Sequence, residues 1–149
     1  MNDPFVLLKK DHRETEQMLQ RLAESNPGRR RRQTLERLEA ALALHMDIEE
    51  RLIYPLVRSE VDEEAEEEAE VEHQLARDGM AKLRRLVDAP GFGAAVAMVT
   101  AGIKHHVTEE EREVFPELKR SLERADIARL GDEVVDAKRK TRRPTRRAA

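Results

Sequence analysis

The chain lacks cysteine and tryptophan, and aromatic residues make up only 3% of its 149 residues. Without cysteine it can hold no disulfide, no cysteine-bound iron–sulfur cluster and no thiolate-bound zinc. Few aromatic and β-branched residues are present, and these are the types that pack best in strands. The core must therefore come from Leu, Val, Ala, Met and Ile, which favours an all-helical fold.

Long apolar runs are also missing. No stretch reaches the roughly 18 apolar residues that characterise a membrane-spanning helix, and the N-terminus has no apolar core of a signal peptide. We therefore expect a soluble, cytoplasmic protein of one domain, without a membrane partner and either a monomer or a weak homodimer.

Charge is unevenly distributed along the chain. The net charge is −3, yet the segment from Lys138 to the end carries seven Lys and Arg and no acid. We interpret residues 139–149 as a basic, disordered tail. Because the remaining chain is acidic, nucleic acid is not an expected partner, except through this tail.

Apolar residues alternate at spacings of three and four, which is typical of bundle helices. The first helix is expected to begin after Asp3, with Pro4 at its first position. The second is expected from Gln33 to Ser59, after a solvated loop at 29–32. Pro55 and Pro116 are expected to kink or terminate their helices. The pattern predicts an up-down-up-down four-helix bundle over 1–125, a short accessory helix over 126–138, and the tail.

One motif occurs twice, 61 residues apart, as H-x3-E-E-R-x2-[Y/F]-P beginning at His45 and at His106. Histidine and glutamate four residues apart lie on the same face of a helix. Here that face is the apolar one. The two copies therefore direct two imidazoles and two carboxylates, those of Glu49 and Glu110, into the bundle.

The first and third helices each add one histidine on the apolar face, His12 and His73, near the same height along the bundle. A carboxylate facing leucines costs several kcal/mol unless it is paired or binds a cation. We therefore predict a site for two metal ions, with iron or manganese favoured over zinc because two carboxylates can bridge them. His105 points about 100° away and is expected at the surface or behind the ligands. The predicted ligands are His12, His45, Glu49, His73, His106 and Glu110.

At these residues, from about Asp11 to Pro116, the chain resembles the hemerythrin-like (HHE cation-binding) family, in particular its small bacterial, actinobacterial-type members. The resemblance implies two non-haem iron ions with an oxo or hydroxo bridge. His12 and His45 would bind one iron, His73 and His106 the other, and Glu49 and Glu110 would bridge them.

The chain departs from the oxygen-carrying members, which have H-x3-H on the third helix where this chain has His73 and Arg77. Tyr54 points away from the site in an ideal helix, but a kink at Pro55 could bring its phenol in as a ligand or hydrogen-bond donor. The departure weakens an interpretation as a reversible oxygen carrier. The resemblance to the small actinobacterial members implies reaction with peroxide, dioxygen or nitric oxide, with peroxide breakdown first. Iron, oxygen or nitric oxide sensing and iron-centre repair are alternatives. Reversible oxygen carriage and iron storage are disfavoured, and no catalytic residue is identified.

Overall fold

A computed structural model describes residues 2–142, and these residues form helices joined by short turns, which confirms the predicted all-α bundle. Two helices of the bundle are composite. In each of them a five-residue π-helical turn lies between two α-helical segments without a break in the helix. The elements are α1 Pro4–Ala23, α2 Arg29–Ile48, π1 Glu49–Ile53, α3 Tyr54–Glu60, α4 Glu63–Arg85, α5 Phe92–Glu109, π2 Glu110–Val114, α6 Phe115–Ser121 and α7 Arg124–Arg142.

Helix starts follow the expected capping chemistry. The side chain of Asp3 accepts a hydrogen bond from the backbone N–H of Phe5 at 2.8 Å, and Asp62 accepts one from Ala65. These carboxylates satisfy N–H groups that have no partner inside the helix. Gly91 adopts a left-handed conformation with φ of 93°, which allows the sharp turn into α5.

The expectation of a solvated loop at 29–32 is wrong, because α2 begins at Arg29. Arg31 is buried, and its guanidinium lies 4.2 Å above the ring of Phe92. It donates hydrogen bonds to the hydroxyl of Ser25 at 2.8 Å and to the carbonyl of Val87 at 3.0 Å. A basic first turn is stable here because the end of the bundle supplies acceptors for the guanidinium.

Neither proline terminates its helix, which corrects that alternative. The N–H of Tyr54 bonds to the carbonyl of Glu49, and that of Phe115 bonds to Glu110, five residues back in each case. This π-helical turn widens the helix before Pro55 and Pro116, which have no N–H to donate. The widening also shifts every following side chain around the helix axis.

The apolar core is divided into two clusters, with a layer of buried His and Glu between them. One cluster contains Leu19, Leu38, Met80, Leu83 and Val96. The other contains Phe5, Leu8, Val57, Phe115 and Leu118. The polar layer therefore lies in the middle of the bundle.

The fifth helix, α7, packs on the second cluster through Leu130 and Val134. A Cβ at Gly131 would meet the carbonyl oxygen of Asn2, so α7 lies directly against the N-terminal segment.

The helix α7 extends to Arg142, so residues 139–142 of the expected tail are helical, and 143–149 lie outside the described residues. The division of the chain at 125 and 138 stays a prediction. Within residues 2–142, none of the helices has the length and apolar character needed to span a bilayer.

Candidate metal centre

The structure brings the six residues predicted as ligands into one buried layer, with exposed fractions between 0% and 8%. Their side-chain donor atoms form two groups, in each of which all donors lie within 4.8 Å of one another. Glu49 and Glu110 belong to both groups. His12 and His45 complete the first group, and His73 and His106 complete the second. The shared carboxylates lie where they could bridge two ions.

In the first group, Nε2 of His45 lies 3.1 Å from Oε1 of Glu49, and Nε2 of His12 lies 3.8 Å from Oε1 of Glu110. The two Nε2 atoms are 3.2 Å apart. Phe115 stacks on the imidazole of His12, with ring centroids 6.0 Å apart and planes 8° apart. This half of the site therefore has an apolar wall on one side.

The second group has the same arrangement with one difference. Nε2 of His73 lies 3.1 Å from Oε1 of Glu49, and Nε2 of His106 lies 2.6 Å from Oε1 of Glu110. At the position that corresponds to Phe115 stands Tyr54, which is fully buried. Its hydroxyl lies 2.8 Å from Nε2 of His73 and 3.3 Å from Nε2 of His106.

Tyr54 reaches the site because of π1. In an uninterrupted α-helix it would point away from His45, as the sequence analysis assumed. The extra residue in the π-helical turn rotates it inward, so that its hydroxyl also lies 3.4 Å from Oε1 of Glu49. A helix count at 100° per residue cannot anticipate this rotation.

Each of the four imidazoles places its Nδ1 against a carboxylate. A histidine that donates Nδ1–H to a carboxylate keeps its Nε2 lone pair free for a metal ion, and its ring is held in place. The four contacts are His12–Glu111 at 2.7 Å, His45–Asp11 at 3.0 Å, His73–Glu50 at 2.8 Å and His106–Glu72 at 3.0 Å.

Sequence reasoning missed these four carboxylates, since acidic residues beside an apolar face usually point to solvent. A signal was nevertheless present. Asp11 and Glu72 directly precede the histidines of the first and third helices, and Glu50 and Glu111 directly follow the glutamates of the repeat. Each of them orients a histidine that belongs to a neighbouring helix.

Basic side chains balance this outer layer of carboxylates. Lys138 from α7 pairs with Asp11, Arg13 pairs with Glu111, and Arg77 pairs with Glu50. Arg77, which stands where oxygen carriers are expected to have a histidine, therefore contacts the outer layer. His105 is 63% exposed and lies 3.5 Å from Glu72 and 3.1 Å from Glu109. It lies at the surface, behind the histidine layer.

Carboxylate oxygens that face the centre of the site lack hydrogen-bond partners within the described chain, and a cation would satisfy them. Within residues 2–142, Oε2 of Glu49 and both carboxylate oxygens of Glu110 have no hydrogen-bond partner, although His106 lies close to one of them. The Nε2 atoms of His12 and His45 are 3.2 Å apart, a distance at which one of the two must carry a proton unless a cation lies between them. Buried acceptors without donors are costly, so the donor set fits positive ions between the two groups.

Without a cation, protons would occupy the site. Burial opposes charge on His45, but the carboxylate of Glu49 and the hydrogen bond to Asp11 raise the pKa of His45 to about 10. Burial likewise opposes charge on His106, yet Glu110 raises its pKa to about 11. Burial and the charge of Glu49 raise the pKa of Glu110 to about 8. Metal ions would displace these protons.

Two further groups of the layer, His12 and Tyr54, differ from these three. Burial and the nearby charge of His45 lower the pKa of His12 to about 4, which leaves this imidazole neutral at pH 7. Burial, together with the charges of Glu49 and Glu110, raises the pKa of the Tyr54 phenol well above its ordinary value. A bound cation reverses this effect on the phenol, because the nearest strong charge then becomes positive.

Comparison with known proteins adds to this geometry. The family model of the hemerythrin HHE cation-binding domain matches residues 3–138. The chain belongs to this family. A crystal structure of a hemerythrin HHE cation-binding domain-containing protein from Mycobacterium kansasii is similar, with a TM-score of 0.82 and 22% sequence identity. The similarity covers 94% of this chain and 87% of that one, and it shows the shared fold. No protein of curated function matches significantly.

Membership of this family makes the protein a cation-binding helical bundle, and the recognition made from the repeat is confirmed. The family match extends through most of α7. The matched residues therefore include most of the accessory helix.

Proposed function

We propose that the buried layer binds two iron ions. His12 and His45 would hold one ion, His73 and His106 the other, with Glu49 and Glu110 between them. The observation that carries this proposal is the convergence, in one buried layer, of four imidazoles and two carboxylates whose oxygens lack partners among the described residues. Imidazole with carboxylate and no sulfur is a donor set that suits iron or manganese.

Tyr54 would complete the second iron site as a ligand. Metal ligands bound at about 2.1 Å and at right angles are about 3 Å apart. The Tyr54 hydroxyl stands 2.8 Å and 3.3 Å from the two Nε2 atoms of that half, close to this separation. The phenol would take the place of the histidine that Arg77 replaces. Phe115 leaves the corresponding position open in the first half.

This asymmetry supports a reaction with hydrogen peroxide. An anionic phenolate favours the more highly charged ferric ion, whereas reversible oxygen carriage needs the reduced pair. An iron pair would supply redox chemistry and an open coordination position. The reaction proposed is disproportionation, in which two molecules of hydrogen peroxide give two of water and one of dioxygen. It requires no outside reductant.

The chain itself would hold the ligands still. The two apolar clusters enclose the layer from both ends, and the outer carboxylates fix the four imidazoles. Rigid ligands limit rearrangement while the metal charge changes. The access route for peroxide is the cavity whose wall contains the four histidines.

Oxygen evolution tests the proposal. Iron-loaded protein should release dioxygen when hydrogen peroxide is added, and His106→Ala should abolish the release, because it removes a ligand of the second iron. Lys104→Ala is the control, since Lys104 is an exposed residue of the same helix. Fully iron-loaded protein that produces no dioxygen would refute peroxide disproportionation.

One observation favours a second function, the sensing of iron, dioxygen or nitric oxide. The contact chain His45–Asp11–Lys138 joins the site to α7, so a change at the site can reach the C-terminal helix. Iron removal should then lower the melting temperature and expose α7 to proteolysis. Identical melting and cleavage patterns for the two forms would contradict sensing.

A further inference from the structure

A cavity of about 510 Å³ lies against the metal centre and is much larger than peroxide or a diatomic gas requires. One wall contains the four imidazoles, and the other walls come from α2, α4 and α5. A water molecule occupies about 30 Å³ in the liquid, so the space corresponds to about 17 water-sized groups. Its volume falls in the usual range of sites for organic ligands.

The lining is mostly apolar. Leu42, Met46, Ala76, Val99 and Ile103 form its sides. At its opening stand Leu75 and Met98, which remain 64% and 77% exposed. Exposed apolar side chains around an apolar cavity mark an entrance for an apolar molecule.

The charges of the lining differ between its ends. Glu72 lies at the level of the histidines, and Lys82 lies ten residues further along α4, about 15 Å away at 1.5 Å per residue. Lys82 is exposed at the rim. An anionic group would therefore be attracted to the Lys82 end and repelled from the Glu72 end.

Two glycines line the cavity, Gly79 and Gly102. A Cβ at Gly79 would come within 2.8 Å of the side chain of Val99, so α4 and α5 approach closely there. Gly102 is different, since no atom of the described part of the chain lies within 4 Å of a Cβ placed on it. Glycine within a helix is destabilising relative to alanine, and no steric reason requires it at 102. Its missing side chain leaves the cavity open.

From these observations we propose that the cavity binds a fatty-acid-class molecule, an apolar chain of roughly ten to sixteen carbons that carries one carboxylate. The carboxylate would lie at Lys82, and the chain would extend along the apolar walls towards the imidazoles. Binding would displace water from the approach to the metal centre. The site is additional to the peroxide reaction, and it does not depend on that reaction.

Fluorescence titration with cis-parinaric acid, an intrinsically fluorescent fatty acid, tests this inference in the full chain. Both metal-free and zinc-loaded protein should bind it with saturation. Gly102→Leu should weaken binding about tenfold or more, because its side chain projects into the opening. Gly93→Leu is the matched control, as Gly93 lies in the same helix and does not line the cavity, and no described residue comes within 4 Å of a Cβ placed on it. It should bind like the unchanged protein.

A separate measurement tests whether the carboxylate of the bound acid lies at Lys82. Lys82→Gln should weaken binding of dodecanoate about two- to fivefold, measured by displacement of the fluorescent acid, and should leave displacement by dodecanol unchanged. Absence of saturable binding in both metal states would overturn the proposal. Equal affinity in Gly102→Leu would also overturn it, and so would self-association through the Leu75 and Met98 rim with no uptake of the acid. Because none of these measurements uses peroxide, failure here is distinguishable from failure of the proposed disproportionation.

Discussion

At the scale of single residues, the site consists of ligands and of the groups that orient them. Four carboxylates contact the Nδ1 atoms of the four histidines. Each carboxylate directly precedes or follows a predicted ligand in the sequence, but it contacts a histidine of a neighbouring helix. Such partners fix the tautomer and raise the basicity of the ligand. The duplicated motif is thus better understood as H-x3-E-E, in which the first glutamate faces the metal site and the second orients a histidine.

Tyr54 gives the most direct test at this scale. Aerobically purified, iron-loaded protein should show a visible phenolate–iron(III) charge-transfer band. The phenol oxygen lies as far from the Nε2 atoms of His73 and His106 as two ligands of the same metal ion lie from each other. Tyr54→Phe should lose the band and still fold, since Phe115 shows that phenylalanine fits the corresponding position. The absorption spectrum checks this, and an unchanged spectrum would contradict ligation by Tyr54.

The protons of the metal-free site predict a pH dependence of stability. The folded state raises the pKa of His45 to about 10 and that of His106 to about 11, from an ordinary value of 6.5. This stabilisation is complete below pH 6.5 and is lost as the pH rises towards 10. Glu110, with a pKa raised to about 8, acts in the same direction, and the opposite effect of His12 lies below pH 6.5.

Urea denaturation of metal-free protein should therefore give a free energy of unfolding lower at pH 9 than at pH 7 by roughly 2 kcal/mol or more. The dependence should flatten in the double variant His45→Gln and His106→Gln, which removes the two raised imidazoles. A metal-free protein equally stable at the two pH values would show that these histidines do not hold protons in the fold.

At the scale of helices, the π-helical turns decide what the motif presents to the site. Both π1 and π2 begin at a shared glutamate and end directly before the aromatic residue and proline of the motif. They let the helices continue past proline and rotate Tyr54 and Phe115 into the core. Turns of this type occur often at functional sites.

The fifth helix also has a function at this scale, because its Lys138 holds Asp11 against His45. Lys138→Met should weaken metal binding by up to about tenfold, since the loss of an outer partner loosens a ligand. Competition with a chromophoric chelator measures this. Lys140→Met is the matched control, because Lys140 pairs with the exposed Asp136 on the same helix and, among the residues that the structure describes, with no other acid. Equal affinities for the two variants would exclude a role of α7 at the site.

Sequence patterns were enough to predict the four bundle helices, the start of the first helix after Asp3, and the meeting of His12, His45, His73 and His106 at one level. These features follow from local rules. Three other features could not be predicted in this way, because they depend on contacts between distant segments or on an irregular helical turn. Arg31 is buried through acceptors at Ser25 and Val87, the outer carboxylates orient histidines of neighbouring helices, and π1 changes the direction of Tyr54.

At the scale of the whole molecule, the bundle contains a buried polar layer between two apolar clusters, and the burial of that layer is energetically unfavourable. Two buried carboxylates close together repel each other and destabilise the fold unless protons or cations neutralise them. Cation binding, for which the matched family is named, accounts for such a layer, because bound cations would neutralise the two carboxylates. The stability of this molecule should therefore depend on metal occupancy.

Metal analysis combined with the ultraviolet–visible spectrum tests the central claim most directly. Protein purified aerobically from iron-rich cells should contain about two irons per chain, because the structure offers two groups of donors that share Glu49 and Glu110. Its spectrum should show the near-ultraviolet absorption of a bridged di-iron(III) pair. Protein that contains no metal, or a single zinc, would contradict a di-iron centre and the peroxide chemistry proposed for it.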